Sequence, residues 1–161
     1  MLPTLVIPDP EAPRPIPGYG LPDRPALDWS FVAERMTAAR YYWINTVDAQ
    51  CRPHSAPLWG VWHGDRVHFD GRPQTRWARN LLANPAVAVH PPDAERVVMI
   101  EGAARPLADD ELSAAGWVAL DAPYRAKYAV AEGSPYWFVE PRLVLAWDGA
   151  NLGTMTRWRF G

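Results

Sequence analysis

The residues best suited to chemistry in this chain lie in one short run, Gly71-Arg72-Pro73-Gln74-Thr75-Arg76-Trp77-Ala78-Arg79-Asn80-Leu81. The run leaves a predicted strand, passes a glycine and a proline, and opens a predicted helix over 74–83. The first turn of a helix has free backbone N–H groups and a partial positive charge, so acids are normally favoured there. This helix carries arginines instead, which is locally unfavourable without an anion. Arg76 and Arg79 are three apart and share a helix face. Thr75 offers a hydroxyl beside them, and Asn80 an amide. A phosphate held at a helix start by guanidinium forks and a hydroxyl is a recurrent physical arrangement. From Gly71 to Pro92 there is no Asp or Glu, and Arg72, Arg76 and Arg79 all fall in that window of a chain whose net charge is −2. A basic patch in a nearly neutral protein suits a small anionic ligand better than a nucleic acid. The same arginines could be solvated or paired with acids from elsewhere, and spacing alone does not separate the two readings.

A second run, Arg52-Pro53-His54-Ser55-Ala56-Pro57-Leu58-Trp59, would present backbone groups lacking ladder partners at its prolines, an edge that can hydrogen-bond a heterocycle. His54 is a candidate acid or base there, against the commoner role of an inert surface or core side chain. The four histidines, His54, His63, His68 and His90, have no ligand-like spacing with cysteine, so no metal set is expected beyond a single haem-ligating histidine. At the end of the chain, Thr154 to Phe160 alternates as a strand. Arg157 and Arg159 fall on one face, with Trp158 and Phe160 on the other. Such a strand covers a ligand, seals an interface, or simply packs one face inward.

The elements that must position these residues are mostly strands. Residues 1–26 hold eight prolines and read as an extended arm. Asp28 can cap a helix to about Ala39, with Trp29, Val32, Ala33 and Met36 on one side. Strands are predicted at Tyr41–Val47, at Arg52–Trp62 (kinked and locally unpaired by Pro53 and Pro57), at Arg66–Phe69, at Ala86–His90 and at Arg96–Arg105. Asp109 to Leu120 reads as a helix with Asp109, Asp110 and Glu111 in its first turn, and Tyr124–Val130 as a further helical stretch. Tyr136–Glu140, Leu143–Trp147 and Thr154–Phe160 complete the set. Six or so strands on short turns, without regular helix alternation, give a mainly β, α+β fold: a small closed or partly closed barrel in one domain over 27–161.

Composition narrows the classes further. The 161 residues suffice for one sizeable core. The only cysteine is Cys51, so no internal disulfide forms, and a cytoplasmic setting is expected. No apolar run approaches the ~18 residues of a membrane span, and no signal peptide is legible. Nine tryptophans supply flat apolar area for a core, an interface or a planar ligand.

Taken together, the runs Tyr42 to Val47, Arg52 to Trp59, Thr75 to Leu81 followed by Asn84-Pro85, and Val97 to Gly102 resemble the pyridoxamine 5′-phosphate oxidase-like family, the FMN-binding split barrels that include deazaflavin-dependent reductases. The closing Thr156 to Phe160 matches a subgroup. The resemblance spans about Leu27 to Phe160. It implies a six-stranded split β-barrel with a few peripheral helices. It also implies a homodimer with a cofactor at each subunit interface, either FMN or the deazaflavin coenzyme F-420. The phosphate side would be Thr75, Arg76, Arg79 and Asn80, with Trp77 beside them. The ring would lie against Arg52, His54, Ser55, Ala56, Pro57 and Trp59, near the partner's Arg157 or Trp158. The family often places lysine two residues after the hydroxyl residue, where this chain has Trp77, so Arg76 or Arg72 would have to supply that cation. The implied activity is hydride transfer with a small conjugated substrate, with the cofactor carrying the redox chemistry. Tyr42, His54, Tyr124 and Tyr128 are candidate proton donors. The alternative is a non-catalytic flavin- or haem-binding protein of the same fold. Pyridoxamine 5′-phosphate oxidation itself is not expected, because the substrate-binding residues have no clear match.

Overall fold

A computed structural model describes residues 2–11, 25–130 and 136–161. Most of the predicted arm, and the link before the seventh strand, lie outside the described residues.

Helix α1, Trp29–Ala38, starts where the Asp28 carboxylate accepts from the Ser30 amide at 2.8 Å, and it buries Val32 and Met36. Strand β1, Tyr42–Val47, alternates inward Tyr42, Ile44 and Thr46 with outward Trp43, Asn45 and Val47. Then come β2 (Pro53–Leu58), β3 (Gly60–His63), β4 (Arg66–Asp70), helix α2 (Arg76–Ala83), β5 (Ala86–His90), β6 (Arg96–Pro106), helix α3 (Ala114–Tyr128), β7 (Tyr136–Asp148) and β8 (Asn151–Arg159).

The strands form one sheet in the order β2-β1-β5-β6-β7-β4-β3, with every neighbour antiparallel. β7 carries two partners in succession on one edge: β4 along its first residues and β8 along its last. β2 and β3 stand at opposite ends of this order, yet Trp59 alone separates them in the chain. The sheet therefore has to curl until its ends approach, which makes the fold a split barrel. The main core fills its inside with Ile44, Phe69, Trp77, Ile100, Trp137, Val144 and Trp158. A second core lies under α3 and holds Val61, Leu120, Tyr124, Tyr128, Tyr136 and Phe138.

Several expectations are corrected. The single strand expected over 52–62 is two strands, and it breaks at Trp59 and not at the prolines. Pro53 and Pro57 sit in a strand paired with β1 along its whole length, tolerable because β2 is a sheet edge. The helix expected from Asp109 begins at Ala114, because Ser113 is its cap and accepts from the Gly116 amide at 3.2 Å. Glu111 instead grips Arg105 at 2.6 and 2.7 Å, which holds the preceding segment as a turn. Arg105 and the Ala108 amide, both donating to Glu111, lower its pKa to about 2. The two expected helical stretches are one, with Pro123 inside it. The two strands expected over 136–147 are also one. It passes Pro141 by a bulge, where the register with β6 shifts between Glu101 and Gly102. The strands number eight, the break at Trp59 adding one.

At that bulge Gly102 faces Pro141, and a Cβ on it would overlap the Glu140 carbonyl oxygen. Backbone cannot yield as a flexible side chain would, so Gly102→Ala is expected to cost about 3 kcal/mol. A thermal melt should show Tm falling by roughly 6–12 °C for a domain of this size. No helix among the described residues is long and apolar enough to cross a membrane.

Candidate functional site

The arginines of the first run do meet, but along the side of α2 and not over its start. Arg76, Arg79, Asn80 and Ala83 follow the i, i+3, i+4, i+7 spacing of one helix stripe. Facing them is the β1–β2 turn, which brings Asp48, Gln50 and Arg52. Together they enclose an open hollow of about 560 Å³. Thr75 does not face it. The Thr75 hydroxyl donates to the Arg72 carbonyl at 2.9 Å and accepts from the Ala78 amide at 3.4 Å, so it acts as the helix cap. The first-turn dipole is therefore not what the hollow offers; its charge comes from the side chains.

Three guanidiniums, Arg52, Arg76 and Arg79, line the hollow with one carboxylate, that of Asp48. Asp48 is already committed: it accepts from the Gln50 and Arg52 amides at 3.0 Å each and from Arg52 Nε at 2.8 Å. The Arg52 amide, donating to the carboxyl, is the main cause holding its pKa below the usual carboxylate range. Arg76 reaches Asp48 only at 3.8 Å, a long contact of half-exposed groups that is worth little. Arg79 donates to the Gln74 carbonyl at 2.9 Å, which leaves its charge uncompensated. Counting three cations against one anion, the hollow carries a surplus of two positive charges. Asn80 forms part of the floor. It is buried and donates to Thr46 Oγ1 at 2.9 Å, tying α2 to β1.

The second run divides by strand alternation. Pro53, Ser55 and Pro57 point outward, while His54, Ala56 and Leu58 turn to the other side, where Ala56 and Leu58 pack on the main core. Ser55 donates to Asn45 Oδ1 at 2.7 Å, and Asn45 donates to the Ala88 carbonyl at 3.2 Å. Asn45 borders a second groove of about 450 Å³ on the outer face of the sheet, between Val47, Pro53, Ala88, Glu101, Arg142 and Leu143. The chain steps Val47–Asp48 and Arg52–Pro53 form the wall between groove and hollow. Sequence reasoning missed Asp48, Gln50, Glu101 and Arg142. Asp48 and Gln50 at a hairpin turn read only as turn formers, and Glu101 and Arg142 become neighbours through strand pairing.

Of the predicted site residues, Arg52, Arg76, Arg79 and Asn80 line the hollow, and the aromatic and C-terminal ones lie elsewhere in this chain. Trp77 is 5 % exposed and sits edge-on between Phe69 and Trp137, with ring centroids 5.3 and 5.4 Å away. Trp158 has no exposed surface and packs edge-on against Trp29 of its own chain. Neither leaves a face for a ligand. Arg157 and Arg159 both pair with Glu11. Trp59, at the other end of β2 from Arg52, stacks on Tyr128 with the rings 2° from parallel and 4.5 Å apart. The three candidate tyrosines are bound elsewhere: Tyr42 donates to the Met36 carbonyl and Tyr124 to Asp70, and Tyr128 lies between the Arg40 and Gly60 carbonyls. Burial pushes the Tyr42 hydroxyl well above its ordinary pKa. The described residues hold no group of three or more His, Cys, Asp or Glu that could hold a metal ion.

Comparison with known proteins agrees with this architecture. A family model described as pyridoxamine 5′-phosphate oxidase matches residues 30–146. Among solved structures, a haem-binding protein from Mycobacterium smegmatis superposes with a TM-score of 0.64 at 19% identity over 83% of this chain, which spans 58% of that protein. A pyridoxamine 5′-phosphate oxidase-related, FMN-binding protein from Nostoc punctiforme gives 0.55 at 16% identity, covering 82% of this chain and 89% of that one. An F420 reductase gives 0.53 at 20% identity, covering 69% and 93%. At such identities the likeness fixes the fold alone. No curated protein sequence matches the chain. With its curled antiparallel sheet and a family match running from α1 into β7, the chain belongs to the pyridoxamine 5′-phosphate oxidase-like split-barrel family.

Proposed function

We propose that this chain is an oxidoreductase whose cofactor, FMN or the deazaflavin coenzyme F-420, places its phosphate in the hollow beside α2. The reading is carried by the charge count: three guanidiniums face one saturated carboxylate, and a phosphate supplies the missing negative charge. The printed descriptions of an F420 reductase and an FMN-binding protein with this fold lend it support. When bound, the cofactor would supply hydride transfer to or from a small conjugated substrate. This chain's part is to hold the phosphate with Arg76 and Arg79, close the far side with Arg52, and orient the ring along the outer groove past Ser55 and Asn45.

The same proposal includes a homodimer. The outer face presents Trp43, Val47, Met99, Leu143, Leu145 and Trp147, each half-buried, and among the described residues α1 and α2 pack on the inner core instead. A second copy covering that face would roof the groove and complete the cofactor site. We place the protein in the cytoplasm, where its one cysteine, the exposed Cys51, stays reduced.

Titration with FMN, FAD and F-420, followed by tryptophan fluorescence, tests the reading. Arg76→Ala and Arg79→Ala should each weaken the preferred cofactor about ten- to a hundredfold, the worth of one charge-assisted bond to phosphate. Unchanged affinity in both variants would remove the phosphate site. Turnover of reduced cofactor with a panel of enones, quinones and nitro compounds then separates an enzyme from a binder.

One observation favours a haem-binding alternative. His90 lies on the outer face opposite Trp43, and its Nδ1 is 2.8 Å from the Pro91 carbonyl. A carbonyl only accepts, so Nδ1 carries the proton and Nε2 is left bare, as an iron ligand must be. A Soret band lost in His90→Ala would select that alternative.

A further inference from the structure

Asp48 brings a carboxylate to the arginines that line the hollow, and its two oxygens have different partners. Oδ1 accepts from the backbone amides of Gln50 and Arg52 at 3.0 Å each. Oδ2 faces the guanidiniums: Arg52 Nε donates to it at 2.8 Å, and Arg76 Nη2 lies 3.8 Å away. Arg52 is held a second time, by Nη2 donating to Gln50 Oε1 at 3.1 Å. Two of the three cations of the hollow are thus turned towards an anion that the chain itself supplies.

The β1–β2 turn does not depend on Oδ2. The Asp48 amide donates to the Arg52 carbonyl at 3.1 Å, and the Cys51 amide to the Asp48 carbonyl at 2.8 Å, so backbone alone closes the turn. Oδ1 braces it further, as Asx side chains do in turns. What Oδ2 contributes is charge. The Asp48 side chain is 14 % exposed, whereas those of Arg52 and Arg76 are 69 % and 51 % exposed. The arginines are therefore the partners with room to move. Ion pairs at such exposure are weak. A phosphate group brings about two negative charges and several acceptor oxygens, so it outcompetes a single carboxylate for two guanidiniums.

We propose that Asp48 is an internal competitor for the anion site: its Oδ2 holds Arg52 and draws on Arg76 until a phosphate group takes both over. The inference rests on the reading of the hollow as a phosphate site. It adds that Asp48 lowers the affinity of that site and keeps the phosphate-bearing molecule exchangeable. Asp48 acts through the arginines and is a positioning residue.

Inorganic phosphate and FMN are the probes, titrated into the full-length chain. Phosphate is followed through the Nε–H resonances of labelled arginine, and FMN through tryptophan fluorescence. In the natural chain the Arg52 Nε–H resonance should move as phosphate draws it off Asp48. Asp48→Asn keeps Oδ1 as an acceptor for the turn and removes the charge. It should bind both probes about tenfold more tightly. In an Arg52→Gln background the same substitution should gain about threefold or less, because only Arg76 is left to release. A charge acting at long range would give the same gain in both backgrounds, which would overturn the proposal. So would a folded Asp48→Asn chain that binds phosphate no better than the natural one, or an Arg52 resonance that stays in place at saturating phosphate. Failure of both probes to bind any of the chains would remove the phosphate site itself, and this inference with it.

Discussion

Trp77→Lys is expected to unfold the protein and not to strengthen its hold on phosphate. The substitution restores the residue that relatives often carry two positions after the helix-capping hydroxyl, so a reading by motif would call it a gain. In this fold the position faces the barrel interior. The indole is nearly fully buried and meets Phe69 and Trp137 edge-on at 5.3 and 5.4 Å. Removing such a side chain costs about 3–5 kcal/mol through lost contacts and the void left behind. An ammonium in its place adds several more for desolvation. The total approaches the whole stability of an ordinary domain, about 5–15 kcal/mol. Far-UV circular dichroism and soluble yield measure it; a folded Trp77→Lys variant with tighter FMN binding would refute it. Gly71 gives an independent check. A Cβ there would overlap the Trp77 ring, so Gly71→Ala should be costly in the natural chain and much less so in a Trp77→Leu background.

Acidification should strip stability from this protein starting near pH 6.5, well above the carboxylate range, and His68 should be the cause. In the folded chain burial, above all, lowers its pKa to about 3 from the ordinary 6.5. Below pH 6.5 the unfolded chain therefore binds a proton that the folded chain refuses. The unfolded state holds more protons, so stability falls as pH falls, at about 1.4 kcal/mol per pH unit for one full proton. The loss runs from pH 6.5 towards 3 and levels off below it. Glu111 acts in the same direction only below about 4.5, where its unfolded form begins to protonate and its folded form, at about 2, does not. The interval from 6.5 to 4.5 thus isolates the histidine. Urea unfolding at several pH values should show this slope, and His68→Phe should flatten it. A natural chain equally stable at pH 7 and pH 5 would contradict the burial of a neutral imidazole.

What the sequence made legible was mostly local. The helix stop at Asn84-Pro85 and the strand expected over Tyr41 to Val47 are each decided within a few residues, and the structure agrees with them. The misreadings come from partners far along the chain. Glu111 looked like a helix-opening acid and is instead claimed by Arg105. Trp59 turned out to be the corner between two strands, a role set by the curl of the whole sheet. For the candidate site, the arginines on α2 were visible, but their arrangement was not. The stripe from Arg76 to Ala83 meets Arg52 only because the β1–β2 turn folds over α2, and Asp48 takes up one of the three charges there. His68 was one histidine among four without metal-like spacing, and its burial appears only in the folded chain.

The two prolines of β2 bear on how copies of this chain can meet. An antiparallel ladder accommodates proline where the amide would have pointed away from the neighbouring strand. Pro53 and Pro57 therefore leave Ser55 as the one amide that β2 could still turn outward. An incoming strand would find too few donors to lengthen the sheet, which guards the protein against fibre-like growth through that border. The broad side of the sheet, proposed above as the face for a second copy, carries no such restriction.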